Sequence, residues 1–115
     1  MRRRVRIHAD FRSDLRGHLD WLTEHRDRSS IERLRVGLDE AVDLVGHFPD
    51  VGSLEGQDGT TVLRRLILRK IPYVIWFIRD TGDPKADVWF LRLFHARQDR
   101  PPATAALTKR RGRRR

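Results

Sequence analysis

Leu63–Arg97, LRRLILRKIPYVIWFIRDTGDPKADVWFLRLFHAR, is the stretch whose reading decides the fold. It parses into three strand-like apolar runs rich in β-branched and aromatic residues, Thr61–Leu68, Pro72–Arg79 and Asp87–His95. The first two are joined by Arg69, Lys70 and Ile71, and Pro72 suits a strand start because it has no amide to donate to a ladder. Thr81-Gly82-Asp83-Pro84 marks the second turn. Links this short force antiparallel neighbours. Strict alternation would put Val88, Phe90, Arg92 and Phe94 on one face of the last strand and Trp89, Leu91, Leu93 and His95 on the other. Both faces of the sheet are then apolar, so one is expected to receive helices and the other to be a site or interface.

Upstream, Arg4–His8 alternates charged and apolar residues as a short half-exposed strand with Val5 and Ile7 inward. Phe11, Leu15, Leu19 and Leu22 recur at helical spacing, which predicts an amphipathic helix over Asp10–Arg26 capped by Asp10 or Ser13. Ile31, Leu34, Leu38, Ala41, Val45 and Phe48 continue the pattern in a second helix, capped by Ser29 or Ser30 and stopped by Pro49. Asp50–Thr61 reads as a glycine-rich connector: Gly52, Gly56 and Gly59 are followed by no GK[ST] and no helix, so they make turns and not a phosphate cradle. The order β-α-α-β-β-β predicts an α+β domain, a helical hairpin packed on a largely antiparallel sheet. Residues 1–100 form this domain, and 101–115, with no repeating apolar face, read as a basic, disordered tail.

The 115 residues fit one core, and the absence of cysteine excludes disulfides and thiolate chemistry and is compatible with a reducing cytoplasm. No apolar run approaches the length of a membrane span, which leads us to expect a cytoplasmic, soluble protein. Three arginines at positions 2–4 and six basic residues among Lys109–Arg115 account for the whole net charge of +9. Within the body, Val5–Asp58 carries seven basic and twelve acidic residues, and Gly59–Thr108 nine and four. A basic second half set against an acidic helical half favours polyanions or acidic protein segments as partners.

His95 beside Arg92 and Arg97 is the best catalytic candidate, since an imidazole moves protons near neutrality and guanidinium groups stabilise phosphate charge. Arg65, Arg69, Lys70 and Arg79, interleaved with Tyr73, Trp76 and Trp89, also describe a docking surface, where Trp, Tyr and Arg dominate. Asp14 and His18 read as a solvated helix pair. The histidines form no HExxH pattern, and neither a metal nor another cofactor is expected.

The first strand, Ala9-Asp10-Phe11-x-x-Asp14-Leu15, Phe48-Pro49 followed by Gly52, Leu63-Arg64-x-Leu66, Ile71-Pro72-Tyr73-Val74-Ile75 and Leu91-Arg92-Leu93-Phe94-His95-Ala96-Arg97, in this order, resemble the RelE/ParE superfamily of bacterial type II toxins. The resemblance implies a toxin silenced by an acidic antitoxin in a hetero-oligomer. RelE-like members cleave messenger RNA on the ribosome, which here would use His95, Arg64, Arg92 and Arg97; ParE-like members act on DNA gyrase. The ribonuclease branch often places an arginine where Val74 stands and ends in a tyrosine or a histidine-tyrosine pair, where this chain has His95-Ala96. The resemblance therefore leans to the ParE-like branch, with a basic nucleic-acid-binding accessory domain as a further alternative.

Overall fold

The computed structural model describes residues 2–112, with side chains through 107. The elements run β1 (Val5–Ile7), α1 (Ala9–His25), α2 (Arg28–His47), β2 (Ser53–Asp58), β3 (Thr61–Ile67), β4 (Tyr73–Asp80), β5 (Val88–His95) and α3 (Ala103–Gly112). The expected β-α-α-β-β-β order is present within this series, and the sheet order is β1-β5-β4-β3-β2. β1 lies parallel to β5, and every other pairing is antiparallel.

Both helices begin earlier than the serine and aspartate signals suggested. His8 caps α1, its Nδ1 accepting the Asp10 amide at 3.1 Å. Asp27 caps α2, accepting the Ser30 amide at 3.1 Å. The Ser29 hydroxyl and then the Ser30 amide hold the Asp27 carboxyl below its usual range. With only Arg26 and Asp27 between them, the helices fold back as a hairpin. Phe11, Leu22, Leu34, Ala41 and Val45 then pack on Leu66, Tyr73, Ile75, Phe77, Val88, Phe90 and Leu93, the helix-facing side of the sheet.

Three expectations are corrected. The glycine-rich connector contains β2, which pairs with β3 through a bulge between Leu54 and Gly56. Its glycines hid the strand, yet they serve it: Gly52 has φ +82°, and a Cβ there would collide with the Arg65 carbonyl oxygen. Second, strict alternation fails in β5, because Phe77 pairs with Phe90 and Trp76 with Arg92, leaving Leu91 as an extra residue. The bulge moves Leu93 to the helix side and Phe94 to the opposite side.

Third, the tail is not structureless, since Ala103–Gly112 is helical. Ala103, Ala106 and Leu107, at i, i+3 and i+4, join Leu63, Val74, Trp76, Ile78, Leu91 and Phe94 in a second core on the far side of the sheet. Small residues make this possible: a Cβ on Gly56 would lie 3.0 Å from the Ala103 methyl and 3.3 Å from Leu107. Residues 113–115, and the side chains of the basic Lys109–Arg115 run, lie outside the described residues.

Replacing Leu34, fully buried, by Ala is expected to cost about 2 to 5 kcal/mol in urea denaturation, and half-buried Leu38 less. Gly52→Ala should cost at least about 2 kcal/mol. Gly59→Ala, at φ +60° with open space around it, should cost only about 1 kcal/mol. Equal costs at the two glycines would show that the Arg65 carbonyl contact does not matter.

Candidate functional site

β1 pairs with β5 only along Val88–Phe90, so beyond that point the outer edge of β5 has no strand beside it. Helix α1 closes this edge with side chains. The Asp14 carboxylate accepts the Leu93 amide at 2.9 Å, and His18 Nε2 donates to the Leu93 carbonyl at 2.9 Å. The same carboxylate holds Arg92 through two bonds, Nε at 2.7 Å and an Nη at 3.1 Å. Arg92 is thereby held more firmly protonated, chiefly by its hydrogen bond to Asp14, and its guanidinium also lies 4.8 Å from the Phe94 ring centre. The pair read from sequence as solvated is a structural clamp. The i,i+4 spacing gave the shared helix face, but not the strand edge it meets.

His18 also leads into an aromatic group. Its ring meets Tyr73 edge-on at 5.1 Å, and Tyr73 meets His95 edge-on at 5.4 Å. Tyr73 and His95 are direct cross-strand partners on β4 and β5. Burial raises the Tyr73 phenol and lowers the His95 imidazole, with His18 and then Arg97 pushing His95 further in the same direction. The Arg97 amide donates to His95 Nδ1 at 3.2 Å, which leaves the proton of the neutral ring on Nε2.

The four residues proposed for ribonuclease chemistry do not converge. His95 and Arg97 are two residues apart and joined through the Arg97 amide, but Arg92 is bound to Asp14, and Arg64 donates to the Val51 and Gly52 carbonyls at 3.0 Å each. Arg64 thus anchors the turn that leads into β2.

The docking candidates are also spread over the molecule. Arg79 is ion-paired with Asp50 and only 12% exposed. Arg69 and Lys70 are exposed on the β3–β4 turn, at the same end of the sheet as Tyr73 and His95. Trp89 lies across the sheet, with the Arg6 guanidinium 4.9 Å from its ring centre. Arg65 and Trp76 are cross-strand neighbours on the α3 side. Arg65 approaches Glu55 at 4.0 Å, but its Nε and the indole Nε1 of Trp76 are buried without a hydrogen-bond partner among the described residues. An open pocket of ≈ 530 Å³ lies beside Trp76, its lining including Glu55, Arg97, Gln98, Asp99, Arg100 and Ala103.

Among the described residues no cluster of His, Cys, Asp or Glu is arranged to hold a metal ion, and no helix is long and apolar enough to cross a membrane. No family model matches the chain, and no curated protein is significantly similar to it.

Asp14→Ala removes acceptors from both Arg92 and the Leu93 amide and is expected to destabilise the fold by about 2 kcal/mol in denaturant titration. For His95, whose pKa is lowered on folding, the neutral ring is the form the fold prefers, so its stabilising contribution is present above the ordinary value of 6.5 and is lost as pH falls below it. His95→Gln should therefore flatten the loss of stability just below pH 6.5, and an NMR titration should place the His95 midpoint under that value. A midpoint at or above 6.5 would contradict the buried environment described for the ring.

Proposed function

We propose that this chain is a RelE/ParE-type toxin of a bacterial type II toxin-antitoxin system, working in the cytoplasm. It arrests growth by binding a target, DNA gyrase, instead of by cutting RNA. The observation that carries the choice of binding over catalysis is the commitment of Arg64 and Arg92 to internal acceptors. Guanidinium groups spent on loop carbonyls and Asp14 are not free to stabilise a developing phosphorane charge, the main work such residues would do in a ribonuclease. The departures at Val74 and Ala96 point the same way.

A docking role suits what remains available. Arg69, Lys70 and Arg97 are exposed around the Tyr73–His95 end of the sheet. Trp76 and Arg65 hold buried donors without acceptors among the described residues, a cost that a carbonyl or carboxylate oxygen of a partner would relieve. An acidic antitoxin segment brings both the charge and the oxygens, and its binding would give the hetero-oligomer expected of such a pair.

One observation favours the alternative, a ribosome-dependent messenger ribonuclease. His95 is biased to its neutral form, as a general base must be, and sits beside Tyr73 with Arg97 next in the chain but one.

Induction of the chain in cells, with plasmid supercoiling and primer-extension maps of messages followed together, separates the two readings. A supercoiling defect without message cleavage is expected, and should persist in His95→Ala. In-frame message cuts with normal supercoiling, abolished by His95→Ala, would establish the ribonuclease instead. If growth is unaffected by induction, the toxin reading itself fails.

A further inference from the structure

The strand that opens the chain is one edge of the sheet, and a basic groove runs along it. An open pocket of ≈ 750 Å³ is lined by Arg4, Arg6, Arg12, His8 and Trp89 together with the apolar Val5, Ile7 and Ala9. No carboxylate lines it, whereas Glu55 and Asp99 line the pocket beside Trp76, and Asp10 lines a smaller cavity next to Arg92. Arg4, Arg6 and Arg12 are all exposed. Arg6 lies over the half-buried Trp89 ring, 4.9 Å from its centre, and reaches the Asp87 carboxylate at 3.4 Å, two contacts that hold the guanidinium beside the indole. The Arg4 and Arg12 guanidinium forks along the groove are suited to phosphates, and the Arg6 guanidinium over an indole offers a platform for a base.

The geometry points to this groove as a binding site for single-stranded nucleic acid, with Arg4 and Arg12 on the phosphodiester backbone and the Arg6–Trp89 pair stacking on a base. The competing occupant, an acidic peptide added as a sixth strand, is disfavoured by the edge itself. β1 has three residues and flanking charges, too short to supply much of a ladder and of the kind that discourages strand addition. Peptide carboxylates would also leave the Arg6–Trp89 platform without use. The site is separate from the Tyr73–His95 end of the sheet and does not depend on the toxin reading.

Fluorescence anisotropy of labelled oligothymidylate and oligouridylate, titrated with the full chain over a range of salt, tests it. The triple variant Arg4→Ala, Arg6→Ala, Arg12→Ala should bind at least tenfold more weakly and lower the log–log salt slope by about 1.4 units, at about 0.7 for each of the two phosphate contacts on a single strand. An equal-charge control, Arg16→Ala, Arg28→Ala, Lys85→Ala, uses exposed positions outside the groove and should stay within twofold of the parent. Trp89→Leu should weaken binding about tenfold with the slope unchanged. Arg4→Ala with Arg12→Ala alone, at exposed positions, keeps the test intact if the larger variants do not fold. Preference for either oligonucleotide identifies the natural source, DNA or RNA, and supports the site. Equal losses in the groove and control variants, or tighter binding of a glutamate-rich peptide than of either oligonucleotide, would overturn it.

Discussion

Six consecutive buried residues, Tyr73–Ile78, make β4 a strand with two dry faces, and the rest of the molecule is arranged around the need to cover both. A strand buried on one side alternates apolar and polar residues; this one does not. Tyr73, Ile75 and Phe77 are covered by the helical hairpin, and Val74, Trp76 and Ile78 belong to the second core that α3 completes with Leu107. The cover on the two sides is unequal. The hairpin brings two long amphipathic helices, while α3 brings two alanines and one leucine onto a sheet that had to be thinned by Gly56 to receive it. Among the described residues, the α3 side is also where Trp76 and Arg65 keep buried donors without acceptors.

Charge serves the same constraint. A sheet dry on both faces has its polar attachments at edges and ends, and several of its arginines are used there as fasteners. Arg64 fixes the turn into β2, Arg79 reaches Asp50 after α2, and Arg92 joins β5 to α1. Asp14 serves two purposes at once: it neutralises Arg92 and supplies the acceptor that a sixth strand would otherwise have offered to Leu93. The segregation of basic residues in the second half and acidic ones in the first is therefore partly an internal matching of sheet to helices. Among the described residues, the exposed cations left for partners include Arg69, Lys70 and Arg97 at one end of the sheet, and Arg4 and Arg12 along the β1 edge.

Much of this was legible in the sequence because it depends on period. Helical spacing identified Leu34, Ala41 and Val45 as core, and continuous apolar runs identified β3, β4 and β5. The failures share one cause, which is that the deciding atom lies far away in the chain. β2 looked like a loop because its glycines answer to Arg65 and Ala103 and not to local turn chemistry. The β5 bulge adds one residue with no local signal and thereby exchanges the faces of Leu93 and Phe94. α3 looked disordered because its buried face is only as wide as Ala103, Ala106 and Leu107. The candidate site suffered in the same way: His95, Arg92 and Arg97 are near in sequence, but Arg92 turns to Asp14, and the neighbour that His95 gains through Tyr73 is His18.

The separation of the remaining cations has a mechanistic consequence. The arginines of the β1 edge lie apart from Arg69 and Lys70 on the β3–β4 turn, since β5 separates β1 from β4 and β3 in the sheet. Neither group needs the other for its geometry, because each is held by its own local contacts: Arg6 by Trp89 and Asp87, and the Arg97 backbone by His95. Two positive surfaces on one rigid sheet can engage two anionic partners together, and the second binding event is then favoured by the effective concentration that the first creates. Under the two binding roles proposed above, such an arrangement would favour assemblies in which both partners are present.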